Sequence, residues 1–259
     1  MKIDVVGSGS AFSKTNNTSS ILIEDDQGIK WLIDCGPTVP RALFQRGLDV
    51  NEIKVIYFTH IHPDHSTGLT ALINNWKSFN RSESLDIYCQ LDQQEPLKGL
   101  VALAIWPETE VCFDIRWHDI EDVFSWPLTQ TDSLNQRVWK VETAYTQHEI
   151  SNRSLKIRLG DCTLFYSGDG RATEETKRLM KGADVAFQEC ASFVALSDNS
   201  SHGDLPDCIG IAEALDLKSL GIYHCWDEEI SLLKQVVNKR DNMFLSYDGL
   251  TIDLMNGKT

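Results

Sequence analysis

The sequence predicts an α/β fold with two β-sheets covered on the outside by helices. Strand-like segments are grouped in both halves of the 259-residue chain, and helix-like segments lie between them. Several apolar strands end just before polar residues of metal-binding type, which would place those residues at sheet edges. The sequence contains no internal repeat, low-complexity run or linker, so we expect one domain over residues 1–259.

Five strands and three helices are predicted in the first half of the chain. A glycine-rich turn at Gly7–Ser10 ends the first strand, and Asp25–Gly28 connects the next two strands as a hairpin. The predicted strands are Lys2–Val6, Ser19–Glu24, Lys30–Asp34, Val55–Phe58 and Asp86–Cys89. The predicted helices are Val39–Arg46, Thr67–Trp76 and Glu95–Ala104.

The periodic pattern weakens over residues 107–136, which predicts a loop or a variable insertion there. Strands and helices alternate again beyond this segment. The predicted strands are Arg137–Val141, Leu155–Leu159, Thr163–Ser167, Ala183–Gln188, Ser219–Tyr223, Phe244–Tyr247 and Thr251–Leu254. The predicted helices are Glu174–Lys181, Leu205–Leu215 and Glu228–Val237.

The composition limits the classes of function. With 42% hydrophobic and 24% charged residues, the chain has the balance of a globular protein. The formal net charge of −14 repels polyanions at long range, so a protein that coats nucleic acid is not expected. A local positive site created by metal ions would still accept a phosphoester.

The seven cysteines indicate the cellular compartment. Their number is odd and no Cys-x-x-Cys pair occurs, which favours reduced thiols over a disulfide framework. The first residues carry a charge at every second position rather than a signal-peptide core, and no apolar run approaches the length of a membrane span. We therefore expect a cytoplasmic protein.

The most informative segment is Thr59–His65, which holds three histidines and one aspartate directly after an apolar strand. His60 and His62, two positions apart, can point at one ion, whereas Asp64 and His65 can turn toward a second. Imidazole nitrogen and carboxylate oxygen suit zinc and similar divalent ions. Tags and solvated loops also contain histidines, but this cluster is internal and follows a strand, so we interpret it as a metal site.

Further candidate ligands follow apolar strands later in the chain. Asp169 comes after the strand that ends near Tyr166, and His224 comes directly after Tyr223. His148 lies just beyond a third strand. A carboxylate can bridge two ions whereas an imidazole normally cannot, so Asp169 is the natural bridging ligand.

This order of residues resembles the metallo-β-lactamase superfamily, whose signature His-x-His-x-Asp-His is followed by later His, Asp and His ligands. The resemblance covers nearly the whole chain and implies an αββα sandwich of two mixed β-sheets flanked by helices. It also implies two divalent metal ions, with Zn²⁺ preferred and Mn²⁺ or Fe²⁺ as alternatives. The implied ligands are His60, His62 and His148 for one ion, Asp64, His65 and His224 for the other, and Asp169 as the bridge.

Other segments resemble the ribonuclease Z group of tRNA 3′-processing endonucleases and its phosphodiesterase relatives. These segments are Val6–Ser10, Asn17–Ser20, Leu32–Gly36, Gln188–Ala191 and Ser201–Asp204. The last two resemble the group's His-Glu-Ala-Thr and His-Ser-Thr segments, which implies that His202 protonates the leaving oxygen and that Glu189 orients His202. Together with Asp64, these are the candidate catalytic residues of a metal-dependent hydrolase that cleaves phosphodiesters with a hydroxide bridging the metals.

Departures from the ribonuclease Z group leave the substrate open. Gln188 replaces a histidine, Gly203 replaces a serine, and no glycine- and proline-rich arm for gripping tRNA occurs. We expect a small-molecule or nucleotide phosphodiester substrate, no bulk nucleic-acid partner and no membrane partner, with a homodimer left open. The alternatives are hydrolysis of a lactone, thioester or β-lactam, and a non-catalytic accessory role in biosynthesis.

Overall fold

The computed structural model describes residues 1–127 and 138–255. The chain divides into two compact units, which we call the N-terminal unit (residues 2–120 and 247–253) and the C-terminal unit (mainly residues 121–246). Each unit contains one seven-stranded mixed sheet with helices packed against it. The predicted α/β class with two mixed, helix-flanked sheets is therefore confirmed.

The sheet of the N-terminal unit combines antiparallel and parallel pairing. Its strands are β1 (Lys2–Gly7), β2 (Ser20–Glu24), β3 (Lys30–Ile33), β4 (Ile53–Tyr57), β5 (Leu85–Cys89), β6 (Ile115–Asp119) and β14 (Thr251–Asp253). The order is β14-β1-β2-β3-β4-β5-β6. Pairing is antiparallel from β14 to β3 and parallel from β3 to β6.

The helices of the N-terminal unit are α1 (Val39–Gln45), α2 (Pro63–Ser66), α3 (Gly68–Ser78) and α4 (Gln94–Ile105). Helix α3 forms because Leu69, Leu72, Ile73 and Trp76 recur at helical spacing and make one apolar face. That face is buried in a core with residues of α1, α4 and the strands β3 to β5. The packing holds α2, which precedes α3 directly, against the end of the sheet.

A buried arginine secures the chain after α3. Arg81 is 1% exposed, and its guanidinium donates hydrogen bonds of 2.6–2.9 Å to the carbonyl groups of Val50, Ile53, Glu83 and Ser84. It also lies over the ring of Trp76, 4.4 Å from the centroid. Burial lowers the pKa of Arg81 to about 10, so the group stays charged at neutral pH. Arg81 thereby fixes the chain segments on either side of β4.

The sheet of the C-terminal unit has the same division into antiparallel and parallel halves. Its strands are β7 (Val123–Trp126), β8 (Trp139–Tyr145), β9 (Arg153–Leu159), β10 (Cys162–Tyr166), β11 (Val185–Glu189), β12 (Leu220–Tyr223) and β13 (Met243–Leu245). The order is β13-β12-β11-β10-β9-β8-β7. Pairing is antiparallel from β7 to β10 and parallel from β10 to β13.

Three helices pack on this second sheet: α5 (Glu174–Met180), α6 (Leu205–Ala214) and α7 (Ile230–Val237). Helix α5 lies beside β8 and β9 of the antiparallel half. Helix α5 begins with a capping box in which Thr173 and Thr176 satisfy each other's backbone N–H groups. Helix α6 is capped by Asp204, whose carboxylate accepts from the Asp207 N–H at 2.9 Å. The three helices agree with the sequence prediction to within a few residues.

The loop predicted over residues 107–136 is wrong in two places. Strands β6 and β7 occupy part of this segment, while residues 128–136 lie outside the described part of the chain. Each of these strands forms the edge of its sheet and pairs on one side only. Edge strands bury fewer side chains, and β6 has no fully buried residue, so the period-two apolar signal is weak.

Two further features of the described residues concern the helices and the cysteines. Every helix there is too short or too polar to span a bilayer. All seven cysteines are free thiols, five of them buried.

Candidate metal centre

Neighbouring parallel strands position the candidate ligands of the N-terminal unit. Strands β3 and β4 pair in parallel and end at Ile33 and Tyr57. Polar residues follow each strand at once, Asp34 after the first and Thr59-His60 after the second. Because carboxyl ends of parallel neighbours lie at the same sheet edge, these side chains meet.

The structure brings the four predicted ligands of this unit together. Nε2 of His60 lies 3.1 Å from Nδ1 of His62, and the rings of His60 and His65 are 4.2 Å apart. Nε2 of His65 lies 3.3 Å from a carboxylate oxygen of Asp64. His60 and His65 are fully buried, and Asp64 is 8% exposed. The four donors therefore face one another, with His62 partly exposed and the other three shielded from solvent.

Asp34 is absent from the ligand set derived from sequence, yet it organises this cluster. Its carboxylate accepts hydrogen bonds of 2.8 Å from the Thr59 N–H, the Thr59 hydroxyl and Nδ1 of His65. Burial raises the pKa of the Asp34 carboxyl, while the contacts with His65 and Thr59 act in the opposite direction. With Nδ1 as the donor to Asp34, Nε2 of His65 is directed at Asp64, as in carboxylate–histidine–metal sites. In the sequence, Asp34 could be noticed only as part of the segment Leu32–Gly36, which resembles the ribonuclease Z group.

Three adjacent parallel strands position the candidate residues of the C-terminal unit. Asp169 lies beyond β10, Glu189 is the last residue of β11, and His224 follows β12. Nε2 of His224 lies 3.3 Å from a carboxylate oxygen of Asp169. The backbone of His224 has φ of 59°, a left-handed conformation that is uncommon for residues other than glycine. Such strained positions concentrate at functional sites.

His148 joins this group from the loop after β8. A ligand atom of His148 lies within 4.8 Å of a carboxylate oxygen of Asp169. Nδ1 of His148 lies 2.9 Å from the Ser201 carbonyl oxygen, which can only accept, so Nδ1 carries the proton. Nε2 is then the nitrogen available as a ligand.

Glu189 and His202 form a close pair beside these ligands. Nδ1 of His202 donates to Oε1 of Glu189 at 2.6 Å, and Nδ1 of His224 lies 3.6 Å from the same oxygen. The other carboxylate oxygen accepts from the N–H groups of Gly170 and Gly203. Burial is the largest single influence and opposes ionisation of both partners, but their hydrogen bonds and the surrounding charges together outweigh it. The pKa of His202 is raised above its usual 6.5 and the pKa of Glu189 is lowered below its usual 4.5.

Two departures from the ribonuclease Z segments have a structural reason. A Cβ atom at Gly203 would come within 2.6 Å of the Glu189 carbonyl oxygen, so the close approach leaves no room for a larger residue without a shift. Gln188 is 1% exposed, and its Nε2 donates to the Gly170 carbonyl oxygen at 3.0 Å. Both residues support the chain around Glu189 and Asp169.

The donor set of each unit fits divalent metal ions. The N-terminal unit presents three imidazoles and one carboxylate, and the C-terminal unit presents the imidazoles of His148 and His224 with the carboxylate of Asp169. Nitrogen and carboxylate oxygen are donors typical of zinc and related ions. His118 and His202 lie outside both groups, and His118 pairs with Asp86 at 2.6 Å on strands β5 and β6.

Comparison with known families and curated proteins gives a consistent result. A family model described as anti-Pycsar protein Apyc1 matches residues 1–232. The chain is 43% identical over 275 residues to the anti-Pycsar protein Apyc1 of Bacillus phage vB_BveM-Goe7, covering 100% of this chain and 93% of the relative. It is 29% identical over 264 residues to the protein of the same name from Paenibacillus harenae, covering 100% and 94%. A ribonuclease Z from Azobacteroides pseudotrichonymphae is 22% identical over 286 residues, covering 98% and 99%.

Solved structures share the fold. The metallo-β-lactamase fold protein YhfI from Bacillus subtilis superposes with a TM-score of 0.78 at 18% identity, covering 97% of this chain and 98% of that protein. The short form of human tRNase Z gives 0.74 at 19% identity, covering 98% and 99%. A diphosphatase of the PhnP family gives 0.73 at 18% identity, covering 98% and 97%. The predicted metallo-β-lactamase fold is confirmed, and the ribonuclease Z relatives agree with the predicted branch.

Proposed function

We propose that this chain, which belongs to the family of the anti-Pycsar protein Apyc1, is a metal-dependent hydrolase that cleaves a phosphodiester bond. The observation that carries the proposal is the Glu189–His202 pair. Its 2.6 Å hydrogen bond holds an imidazole beside candidate metal ligands, with donor atoms of Glu189, His202 and His224 all within 4.8 Å of one another. Expulsion of an alkoxide from a phosphodiester requires a proton donor, and here that donor would lie next to a divalent ion.

We propose that the seven ligands implied by the family resemblance hold one pair of Zn²⁺ ions, since a bridged pair needs about six or seven donors. The proposed sets are His60, His62 and His148 for one ion, Asp64, His65 and His224 for the other, and Asp169 between them. Bound divalent ions would lower the pKa of a water to near neutrality and neutralise charge on the phosphate.

In the proposed reaction His202 gives its proton to the leaving oxygen. Its side chain is 25% exposed, so a substrate can reach it, whereas Glu189 is fully buried. Because Nδ1 of His202 is held by Glu189, Nε2 is the nitrogen that faces outward with the transferable proton. The raised pKa of His202 keeps a larger fraction protonated at neutral pH than for a free histidine.

The proposed substrate is a phosphodiester in a small nucleotide. The net charge of −14 disfavours a long polyanion but is compatible with a small anion drawn to the metals. The relatives are named anti-Pycsar proteins, and we propose that this chain likewise acts against Pycsar, through this hydrolysis. We also propose a cytoplasmic site of action, consistent with the seven free thiols.

The test begins with metal analysis of the purified protein, followed by an activity panel with chelated and zinc-loaded protein. The panel contains linear dinucleotides, cyclic mononucleotides, bis(p-nitrophenyl) phosphate, a lactone and a thioester. We expect zinc-dependent hydrolysis of phosphodiesters. Activity confined to the lactone or thioester would replace the proposal with a carbonyl hydrolase. No turnover by a protein that holds two metals would indicate a non-catalytic role.

Variants of two histidines separate general-acid catalysis from other roles. His202→Ala should retain both metals but slow hydrolysis of an alkyl phosphodiester by about 10²–10⁴-fold, with a smaller loss for a p-nitrophenyl ester, whose leaving group needs little protonation. His118→Ala is the matched control, because His118 also pairs with a carboxylate at 2.6 Å but lies outside the ligand groups. Equal rates for His202→Ala and wild type on the alkyl ester would remove His202 from the reaction.

A further inference from the structure

A buried amide connects the two loops of the C-terminal unit that carry His148 and Asp169. Asn152, just before β9, is 0% exposed. Its Nδ2 donates to the Thr146 hydroxyl at 2.8 Å and to the Ser167 carbonyl oxygen at 2.9 Å. Thr146 lies two residues before His148, and Ser167 lies two residues before Asp169. One side chain thus spans both ligand-bearing loops.

The contacts of Asn152 form a closed ring around the main chain of Asp169. The Asp169 N–H donates to Oδ1 of Asn152 at 3.1 Å. Nδ2 of Asn152 donates to the Thr146 hydroxyl, which in turn donates to the Asp169 carbonyl oxygen at 2.5 Å. Both main-chain polar groups of Asp169 are therefore held by two side chains that are also bonded to each other, an arrangement in which each bond strengthens the next.

The orientation of the Asn152 amide is fixed by its partners. Rotating the amide by 180° would place its oxygen against the Ser167 carbonyl oxygen and its nitrogen against the Asp169 N–H. Both contacts would be repulsive, so only the observed orientation satisfies the ring. An aspartate of the same shape would likewise bring a carboxylate oxygen against the Ser167 carbonyl oxygen.

The residues on either side of Asp169 are also held by hydrogen bonds. The Gly168 carbonyl oxygen accepts from the Tyr223 hydroxyl at 2.6 Å. The Gly170 N–H donates to Glu189, and the Gly170 carbonyl oxygen accepts from Gln188. This main chain has few ways to adjust, so the position of the Asp169 carboxylate depends on the ring that Asn152 completes.

We infer that Asn152 is a positioning residue that sets the spacing of His148 and Asp169 and thereby the affinity for metal. The inference rests on the proposed function, in which these two residues are metal ligands. The outer partners of metal ligands typically contribute 10- to 100-fold to affinity. Thr146 acts with Asn152, because its hydroxyl is the link between the amide and the Asp169 carbonyl oxygen.

The test measures Zn²⁺ affinity by competition with a chromophoric chelator, together with the thermal midpoint of the metal-free protein. Asn152→Asp and Asn152→Ala should bind Zn²⁺ about 10- to 100-fold more weakly than wild type. Ser154→Ala is the matched control: Ser154 is equally buried two residues later, on β9, and its hydroxyl donates to the Ala144 carbonyl oxygen of β8 at 2.8 Å rather than to either loop. It should lose stability but keep its affinity for zinc.

A second pair of variants keeps the inference testable if the Asn152 variants do not fold. Thr146→Val removes the linking hydroxyl with little change of shape and should weaken zinc binding, whereas Thr146→Ser retains the hydroxyl and should bind as wild type does. If the Asn152 variants or Thr146→Val fold and bind Zn²⁺ as tightly as wild type, the inference is overturned and the proposed function is not. Wild-type protein that binds no zinc, or Asp169→Ala that binds as tightly as wild type, would overturn the proposed function and this inference together.

Discussion

At the scale of the residue, one buried carboxylate in each unit holds neighbouring histidines by hydrogen bonds. In the N-terminal unit, Asp34 fixes His65 through Nδ1 at 2.8 Å. In the C-terminal unit, Glu189 holds His202 at 2.6 Å and approaches His224. Each carboxylate is fully buried and therefore depends on its hydrogen bonds, so changes at these positions should affect the neighbouring imidazoles first.

Replacement of the proposed bridging residue should separate metal binding from folding. Asp169→Ala should lose most of one metal and nearly all activity, because one carboxylate neutralises charge on two cations and no other residue replaces it. Metal stoichiometry of the variant beside wild type checks this expectation. Asp161→Ala, at an exposed turn between β9 and β10, is the control and should keep both metals. Two tightly held metals in Asp169→Ala would remove it from the bridging position.

The Glu189–His202 pair predicts how the stability of the metal-free protein depends on pH. The pKa of His202 is raised, so its contribution is complete below about pH 6.5 and is lost as the pH rises through the folded-state pKa. The pKa of Glu189 is lowered, so its contribution is complete above about pH 4.5 and is lost as the pH falls through the folded-state pKa. The pair should therefore stabilise most between about pH 4.5 and 6.5.

Thermal midpoints of chelated wild type and His202→Gln across this range measure the effect. The difference between the two proteins should be greatest between about pH 4.5 and 6.5 and should shrink on the alkaline side as His202 loses its proton. A difference that does not change with pH would mean that His202 contributes through packing rather than charge.

At the scale of the element, close backbone contacts hold the turn that carries Asp64 and His65. A Cβ atom at Gly36 would lie 1.8 Å from the Asp64 carbonyl oxygen, and one at Gly68 would lie 2.1 Å from the Gly36 carbonyl oxygen. The segment after β3 therefore packs directly on helix α2 and the start of α3. The spacing leaves the main chain of Asp64 no freedom to shift without moving β3.

Two glycine variants test this packing against helix propensity. Gly36→Ala should destabilise the protein by about 1–3 kcal/mol, the usual effect of overpacking, and should weaken metal binding because Asp64 must move. Gly99→Ala, in helix α4 with no atom near the added Cβ, should instead stabilise it by about 0.5–1 kcal/mol and leave metal binding unchanged. Chemical denaturation and zinc titration of both variants provide the comparison. Wild-type zinc affinity in Gly36→Ala would show that the turn adapts.

For the whole molecule, the proposed metal pair predicts that His60 and His148, far apart in the sequence, act on the same ion. Single variants His60→Ala and His148→Ala should each retain one metal, and the double variant should also retain one, because both residues are proposed to bind the same ion. Metal analysis distinguishes this outcome from separate sites, for which the double variant would lose more than either single variant.

Removal of the metals should destabilise the chain. A ligand at a free concentration one hundred times its dissociation constant stabilises the folded state by about 2.7 kcal/mol per site, so chelation should lower the thermal midpoint clearly. Calorimetry of the zinc-loaded and chelated protein measures this shift. His118→Ala should show the same shift as wild type, since His118 lies outside the ligand groups. An identical midpoint with and without zinc would contradict a resident metal pair.

The sequence by itself determined the fold class and the chemical types of the candidate ligands. Apolar strands followed at once by Asp or His are local patterns, and a side chain that ends a buried strand must emerge at a sheet edge. Thr59–His65, Asp169 and His224 could be identified in this way. The edge strands β6 and β7 could not, because β6 has no buried residue and β7 has only four residues, too few for its alternation to stand out.

Only the tertiary structure decided which residues hold the ligands in place. Asp34 and His65 are 31 residues apart, and Asn152 and Asp169 are 17 residues apart, yet each pair is joined by hydrogen bonds. The local pattern around Asp34 does not distinguish a carboxylate that orients a histidine from one that binds a metal, and Asn152 has the pattern of an ordinary residue before a strand. Their roles arise because strand pairing brings distant loops to the same edge of a sheet, where a buried polar side chain must find its partners in whatever segment the fold places beside it.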